Sequence, residues 1–240
     1  MHFEVDHRVR YSEVNAEGFL TLDGIVNYLQ DTTMLHSQMC GAGLKELAKT
    51  GFGWVLSSWQ IQIKKPIELY SKIKVLTNPY EFKGFFGYRN FIISSEEGEE
   101  LVIANSIWVY MDAVKRIPTK ITPEAAAPYE PLEPKLEMDY APRKMKLPEG
   151  FTALDTLPVH PSQLDTNYHV NNCEYIRTAM YVAGIDKMPD ELRAEYKKSA
   201  VLGDVFHPYI HRDEHTCIVD LRAEDGSSYA TVEFIYKEIL

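Results

Sequence analysis

Leu164-Asp165-Thr166-Asn167-Tyr168-His169-Val170-Asn171-Asn172 sets a carboxylate, an amide and an imidazole at alternate positions and runs straight into Cys173-Glu174-Tyr175-Ile176-Arg177-Thr178-Ala179-Met180-Tyr181-Val182. The second stretch reads as a helix with one apolar face. An extended segment sends alternate side chains to one side, so Asp165, Asn167 and His169 are expected to converge on one small volume. Backbone N–H groups at residues 170–172, entering the helix, lack intrahelical partners and are expected to stabilise an oxyanion. Such a site suits ester or thioester chemistry. The same residues also read as an Asx-rich turn capping a helix, and both readings stay open at this point.

Working outward, the chain repeats itself. Val9-Arg10-Tyr11-Ser12-Glu13-Val14-Asn15 resembles Val159-His160-Pro161-Ser162-Gln163-Leu164-Asp165, 150 residues on, and a helix candidate follows each, over residues ~21–38 and ~171–183. Lys64-Lys65-Pro66-Ile67-Glu68-Leu69-Tyr70-Ser71 resembles Lys197-Lys198-Ser199-Ala200-Val201-Leu202-Gly203-Asp204 at a shift of 133. Ala104-Asn105-Ser106-Ile107-Trp108-Val109-Tyr110 resembles Ala230-Thr231-Val232-Glu233-Phe234-Ile235-Tyr236 at a shift of 126. Three matches in one order, with a falling shift, indicate duplication with shorter loops in the second copy. In the first copy, strands are predicted over residues 53–63, 71–77, 88–93 and 101–110. The first helix should present Leu22, Ile25, Val26, Leu29, Thr33 and Leu35 to that sheet. One helix followed by a run of strands means α+β with a mostly antiparallel sheet. Between the copies, residues 117–150 carry seven prolines and read as a semi-extended linker with one short helix near residues 123–127.

The 240 residues are 45% apolar and 25% charged, as in an ordinary soluble globular protein. A net charge of −10 argues against a nucleic-acid partner, which needs a basic surface. Local basic pairs remain, at Lys64-Lys65, Arg143-Lys144 and Lys197-Lys198. Cys40, Cys173 and Cys217 are odd in number and form no CxxC pair, which fits a reducing cytoplasm and no disulfide framework. No signal peptide is visible, and no apolar run approaches the ~20 residues that span a bilayer, so no membrane insertion is expected. No metal-ligand spacing is found, and no cofactor is expected.

On these residues the chain resembles the acyl-acyl-carrier-protein (acyl-ACP) thioesterases, a plant and bacterial family. The carriers of the resemblance are 164–172 with Tyr175-Ile176, then Leu29-Gln30, Trp54-Val55-Leu56, Pro66, Arg89-Asn90-Phe91, residues 106–112 and Gly203-Asp204. The resemblance implies two tandem hotdog units, each a long helix wrapped by an antiparallel sheet. It implies a first unit over 1–116 shaping the acyl-chain pocket, a linker over 117–150, and a second unit over 151–240 carrying the chemistry. It further implies hydrolysis of acyl-ACP to free fatty acid in fatty-acid biosynthesis. The partner would be acyl-carrier protein with its phosphopantetheine-linked acyl chain, and the enzyme a monomer or homodimer.

Asp165, Asn167 and His169 fall on the family's active-site positions. Chemically, His169 suits proton transfer, Asn167 suits holding a water or substrate oxygen, and Asp165 suits orienting these groups or acting as base. The family places a glutamate, in the strand preceding Gly203-Asp204 that here runs through Lys197-Lys198-Ser199, where this chain has Ser199, which cannot act as a base without an activator. Two further readings therefore stand beside the first: acyl-coenzyme A hydrolysis, and a non-catalytic acyl- or carrier-binding module. Cys173 is read as buried rather than nucleophilic, and His36 and His160 as structural. In the first copy the motif is replaced by Asn15-Ala16-Glu17-Gly18-Phe19, so chemistry is not expected there. Met34, Leu35, Met39, Phe52 and Trp54 are candidate lining residues of the acyl pocket, or else core.

Overall fold

The computed structural model describes residues 2–238, which divide into two units. Residues up to 57 with 61–140 form the first, and 58–60 with the residues from 141 onward form the second.

In the first unit, β1 (Phe3–Arg8) is followed by a 3-10 turn at Tyr11–Glu13, α1 (Leu22–Met39), α2 (Leu44–Thr50), β2 (Phe52–Ile63), β3 (Lys72–Lys83), β4 (Phe86–Ser95), β5 (Glu100–Asp112), β6 (Ile117–Pro118) and α3 (Pro123–Ala126). The strand order is β1-β3-β4-β5-β2, with β6 added to β5. Pairing is antiparallel from β1 through β5, with Val5 opposite Val75, Val75 opposite Ile93 and Ile93 opposite Val102. Val75, Ile93 and Val102 are wholly buried, so each contributes ~1.5–3 kcal/mol of apolar transfer, and Val5 on the outer strand is half-buried.

α1 starts where Thr21 Oγ1 accepts the Gly24 N–H at 3.2 Å, an N-cap. It packs against β3 and β1, burying Leu22, Ile25, Val26, Leu29 and Thr33. Leu35, expected on that face, is 44% exposed. Seven residues complete two turns, so His36, not Leu35, falls under Leu29 and is fully buried. The short helix expected in the proline-rich stretch is α3, with Pro123 in its first turn and Thr122 as cap.

In the second unit, β7 (Thr152–Ala153), β8 (Leu157–Pro158), a 3-10 turn at Pro161–Gln163, α4 (Asn172–Ala183), β9 (Glu191–Tyr196), β10 (Val205–Arg212), β11 (Thr216–Arg222) and β12 (Ser228–Ile235) follow in order. The strand order is β9-β12-β11-β10-β7, with β8 also on β10, all antiparallel. α4 is capped by Asn171 Oδ1 on the Cys173 N–H at 2.9 Å and lies over β10, β11 and β12. It ends after 12 residues at Gly184, whose φ of +58° closes the helix in the left-handed conformation.

The duplication is visible bond by bond. Leu20 N–H donates to Ile67 C=O at 2.7 Å and Val170 N–H to Ala200 C=O at 2.9 Å. Thr21 N–H reaches Glu13 C=O as Asn171 N–H reaches Gln163 C=O. Lys64 and Lys65 both donate to Leu101 C=O, and Lys197 and Lys198 both donate to Tyr229 C=O. Tyr70 and Gly203, equivalent by position, both have positive φ, +67° and +96°.

Two sequence expectations need correction. The last match lies at a shift of 128, Leu101 with Tyr229, not 126. A two-residue slip keeps every side chain on its face, so apolar alternation cannot detect it. The strand expected to contain Lys197-Lys198-Ser199 ends at Tyr196. There the two lysine amides crowd onto one carbonyl and the ladder stops.

Candidate active site

The segment 164–170 is a closed turn, not the extended strand expected. Leu164 pairs with Val170 in an isolated bridge, Asp165 N–H donates to His169 C=O at 2.7 Å, and Tyr168 N–H donates to Asp165 C=O at 3.1 Å. Asp165 Oδ1 accepts the N–H groups of Asn167 at 2.7 Å and His169 at 3.3 Å. Asp, Asn and Ser side chains compete with the ladder for backbone donors, and here the carboxylate wins. The three residues are gathered by a turn of which Asp165 is the pin. Among the described residues no hydrogen bond joins their side chains to one another. The Asn167 side chain stands exposed at the tip, and Asp165 and His169 are half-buried.

The oxyanion expectation fails at two of its three amides. Val170 N–H is committed to Ala200 C=O at 2.9 Å and Asn171 N–H to Gln163 C=O at 2.8 Å. Cys173 is 2% exposed, packed in the core, and offers no accessible nucleophile.

A second loop closes on the turn. His169 bridges Val201 in antiparallel sense, and the Val170–Ala200 bond follows, so Ser199 lies opposite Asn171. Position 199 is therefore beside the motif, and its serine is exposed. Asp204 Oδ2 caps the Val201 N–H at 2.9 Å, and the Tyr229 hydroxyl bonds to Asp204. Burial and that carboxylate push the Tyr229 phenol up to about 12. Tyr175 OH accepts the Ala200 N–H at 2.7 Å, and burial raises it to about 12, with Asp204 and Asp165 both adding to the effect. Asp204 is thus a second carboxylate at the site. The sequence contained it in the Gly203-Asp204 pair but gave it no role, because its link to His169 runs through the loop pairing.

The first unit holds a separate cavity of about 620 Å³, counted to its open mouth. It is lined by α1, α2, β2, β3, β4, β5 and the 3-10 turn at Ala127–Tyr129, with Leu47, Trp54, Phe82, Arg89, Trp108 and Tyr129 prominent. Of the candidate lining residues, Met34 and Trp54 belong to it, whereas Leu35, Met39 and Phe52 are 44%, 70% and 39% exposed and are neither lining nor core. Gly87 is needed for close approach, since a Cβ there would sit 2.8 Å from the Trp54 ring. Arg89 is 5% exposed and donates from Nη1 to His36 Nδ1 at 2.9 Å and Thr77 Oγ1 at 3.1 Å. His36 therefore carries its proton on Nε2. Burial and the neighbouring guanidinium lower its pKa to about 3.

Comparison with known proteins bears on the site. Residues 1–129 match the acyl-ACP thioesterase N-terminal domain and residues 150–238 the acyl-ACP thioesterase C-terminal domain. The chain is 27% identical over 188 residues to a chloroplastic palmitoyl-acyl carrier protein thioesterase of Gossypium hirsutum, covering 72% of this chain and 45% of that protein. The chain spans about half the length of the curated relatives it matches. An acyl-ACP thioesterase from Bacteroides thetaiotaomicron superimposes with a TM-score of 0.86 at 21% identity, over 98% of this chain and 97% of that one. The 12:0-ACP thioesterase from Umbellularia californica gives 0.86 at 18% identity, over 99% and 97%. Those likenesses establish the double-hotdog fold, as α+β units with antiparallel sheets. Both family domains, in order and together covering most of the sequence, place this chain in the acyl-ACP thioesterase family.

Proposed function

We propose that the protein hydrolyses the thioester of acyl-carrier protein, releasing a free fatty acid and the carrier's phosphopantetheine thiol, with Asp165, Asn167 and His169 as the reacting constellation. The observation that supports this is the twin turn. In the first unit Asn15 Oδ1 accepts the Phe19 N–H at 2.9 Å, Asn15 N–H donates to Phe19 C=O at 2.8 Å, and Val14 pairs with Leu20. The same backbone is built there from Asn15, Glu17 and Phe19. The fold therefore does not require a charge at 165, an amide at 167 or an imidazole at 169, and their presence is explained by chemistry.

In the proposed reaction His169 takes a proton from water as its oxygen bonds to the thioester carbon. It returns a proton to sulfur as the carbon–sulfur bond breaks. Asn167, at the tip, orients the water. Asp165 positions both residues through their backbone N–H groups and lends negative charge to the imidazolium. This assigns the supporting carboxylate to Asp165 where the family's glutamate is replaced by Ser199. The first unit is assigned the acyl chain.

The carrier is acidic, and Lys197-Lys198, exposed on the loop beside position 199, is the basic pair favoured for it. Arg143 is less suited, because it lies 3.9 Å from the buried Glu195 carboxylate as an ion pair.

Thiol release from acyl-ACP and acyl-coenzyme A of matched chains tests the proposal. Turnover faster on the carrier protein supports it; turnover favouring coenzyme A moves the substrate. No turnover on either, under conditions where a related thioesterase works, supports the binding-module reading that Ser199 motivates.

A further inference from the structure

The cavity of the first unit is apolar on most sides and yet contains a buried cation. Arg89 is 5% exposed, and its hydrogen bonds among the described residues all leave from Nη1, to two neutral acceptors, His36 Nδ1 and Thr77 Oγ1. Its guanidinium carbon lies 5.8 Å from the Tyr129 ring centroid. Among the described residues no carboxylate pairs with it. Burial lowers its pKa to about 10, opposed by Tyr129 and Cys40, which leaves it positive at neutral pH. A neutral amide would satisfy His36 and Thr77 equally well. The surplus is a positive charge with Nε and Nη2 donors on a fixed fork, at the wall of a cavity that Trp54, Phe82 and Trp108 make hydrophobic. Buried charge without a partner is costly, and a bidentate carboxylate is the geometric match to a guanidinium.

We propose that this cavity is a binding site for an aliphatic monocarboxylate, its carboxylate seated on Arg89 and its hydrocarbon chain against Trp54, Phe82 and Trp108. The ligand would be a free fatty acid, entering carboxylate first, opposite in polarity to a chain held by its thioester end. Its biological meaning rests on the hydrolase reading above, for which such an acid is the product and would compete with fresh substrate for the cavity.

The test uses the full chain, without turnover. Decanoate, decanol and methyl decanoate are titrated against the wild type, following Trp54 and Trp108 fluorescence and heat by calorimetry. Decanoate is expected to bind at least about tenfold more tightly than decanol, as a charge-assisted pair implies. Arg89→Met, which keeps the volume and removes the charge, is expected to abolish that preference while retaining decanol binding. Equal affinity for decanoate and decanol in the wild type overturns the inference, whatever the variant does. A carboxylate preference that survives in a folded Arg89→Met protein overturns it as well. Neither readout depends on thioesterase activity. An inactive protein that prefers decanoate refutes only the hydrolase reading, and an active one without the preference refutes only this one.

Discussion

Tyr168 holds a φ of +60° at the tip of the motif turn, where its twin Gly18 holds +83° without a side chain to strain. A left-handed tyrosine costs of order 1 kcal/mol, and here it is 81% exposed, so packing does not repay it. Tyr168→Gly is therefore expected to keep or raise the unfolding midpoint in urea; a clear loss would mean the ring is structural. Asp165→Asn is the sharper substitution, because Asn15 already shows that an amide holds this turn. It should leave stability within ~0.5 kcal/mol and lower kcat about 10²-fold or more, with KM little changed, whereas His169→Ala should lower kcat by ~10²–10⁴-fold. Unchanged kcat in Asp165→Asn would remove the charge from the mechanism. The sequence singled out these three residues as candidates, but their arrangement was not legible in it. Alternate spacing suggested a strand, and only the Asp165 carboxylate reaching the N–H groups of Asn167 and His169 makes the segment a turn.

At the scale of elements, both long helices were readable from their apolar periodicity, and the structure adds their caps, Thr21 and Asn171. Thr21→Ala is expected to lower stability by ~1 kcal/mol, measured by chemical denaturation, with no change in turnover rate. Strand ends were less legible. β9 stops because Lys197 and Lys198 share one carbonyl, a backbone event with no side-chain signature. The cavity wall was half legible: Trp54 was anticipated, but the glycine that admits its ring was not. Gly87→Ala should push the indole into the cavity and shift hydrolysis toward shorter acyl chains, read as a change in the ratio of kcat/KM between two chain lengths. An unaltered ratio would detach this cavity from acyl recognition.

For the whole molecule, the pH dependence of stability should carry the mark of His36. Its folded pKa of about 3 lies below the unfolded value of ~6.5, so only the unfolded chain takes up a proton between them. The contribution is complete above pH ~6.5 and declines as pH falls toward 3, by about 2 kcal/mol at pH 5. His36→Gln should flatten that slope in denaturation at pH 7 and pH 5; an identical slope would show that other groups dominate. The two units were legible as a duplication because matching segments make matching bonds. Their difference is as informative. Leu20 corresponds to Val170 at 150 residues and Ile67 to Ala200 at 133, so the first copy holds 17 more residues between these points. That surplus lengthens α1 relative to α4 and adds α2, and Ala42, Gly43, Leu44 and Leu47 within it line the cavity. Selection acting on the size of the ligand has a stretch of chain to lengthen, shorten or recompose that contains no member of the reacting turn. Under the proposed assignment, variation in what the protein accepts is uncoupled from variation in what it does, and the two properties can diverge among descendants independently.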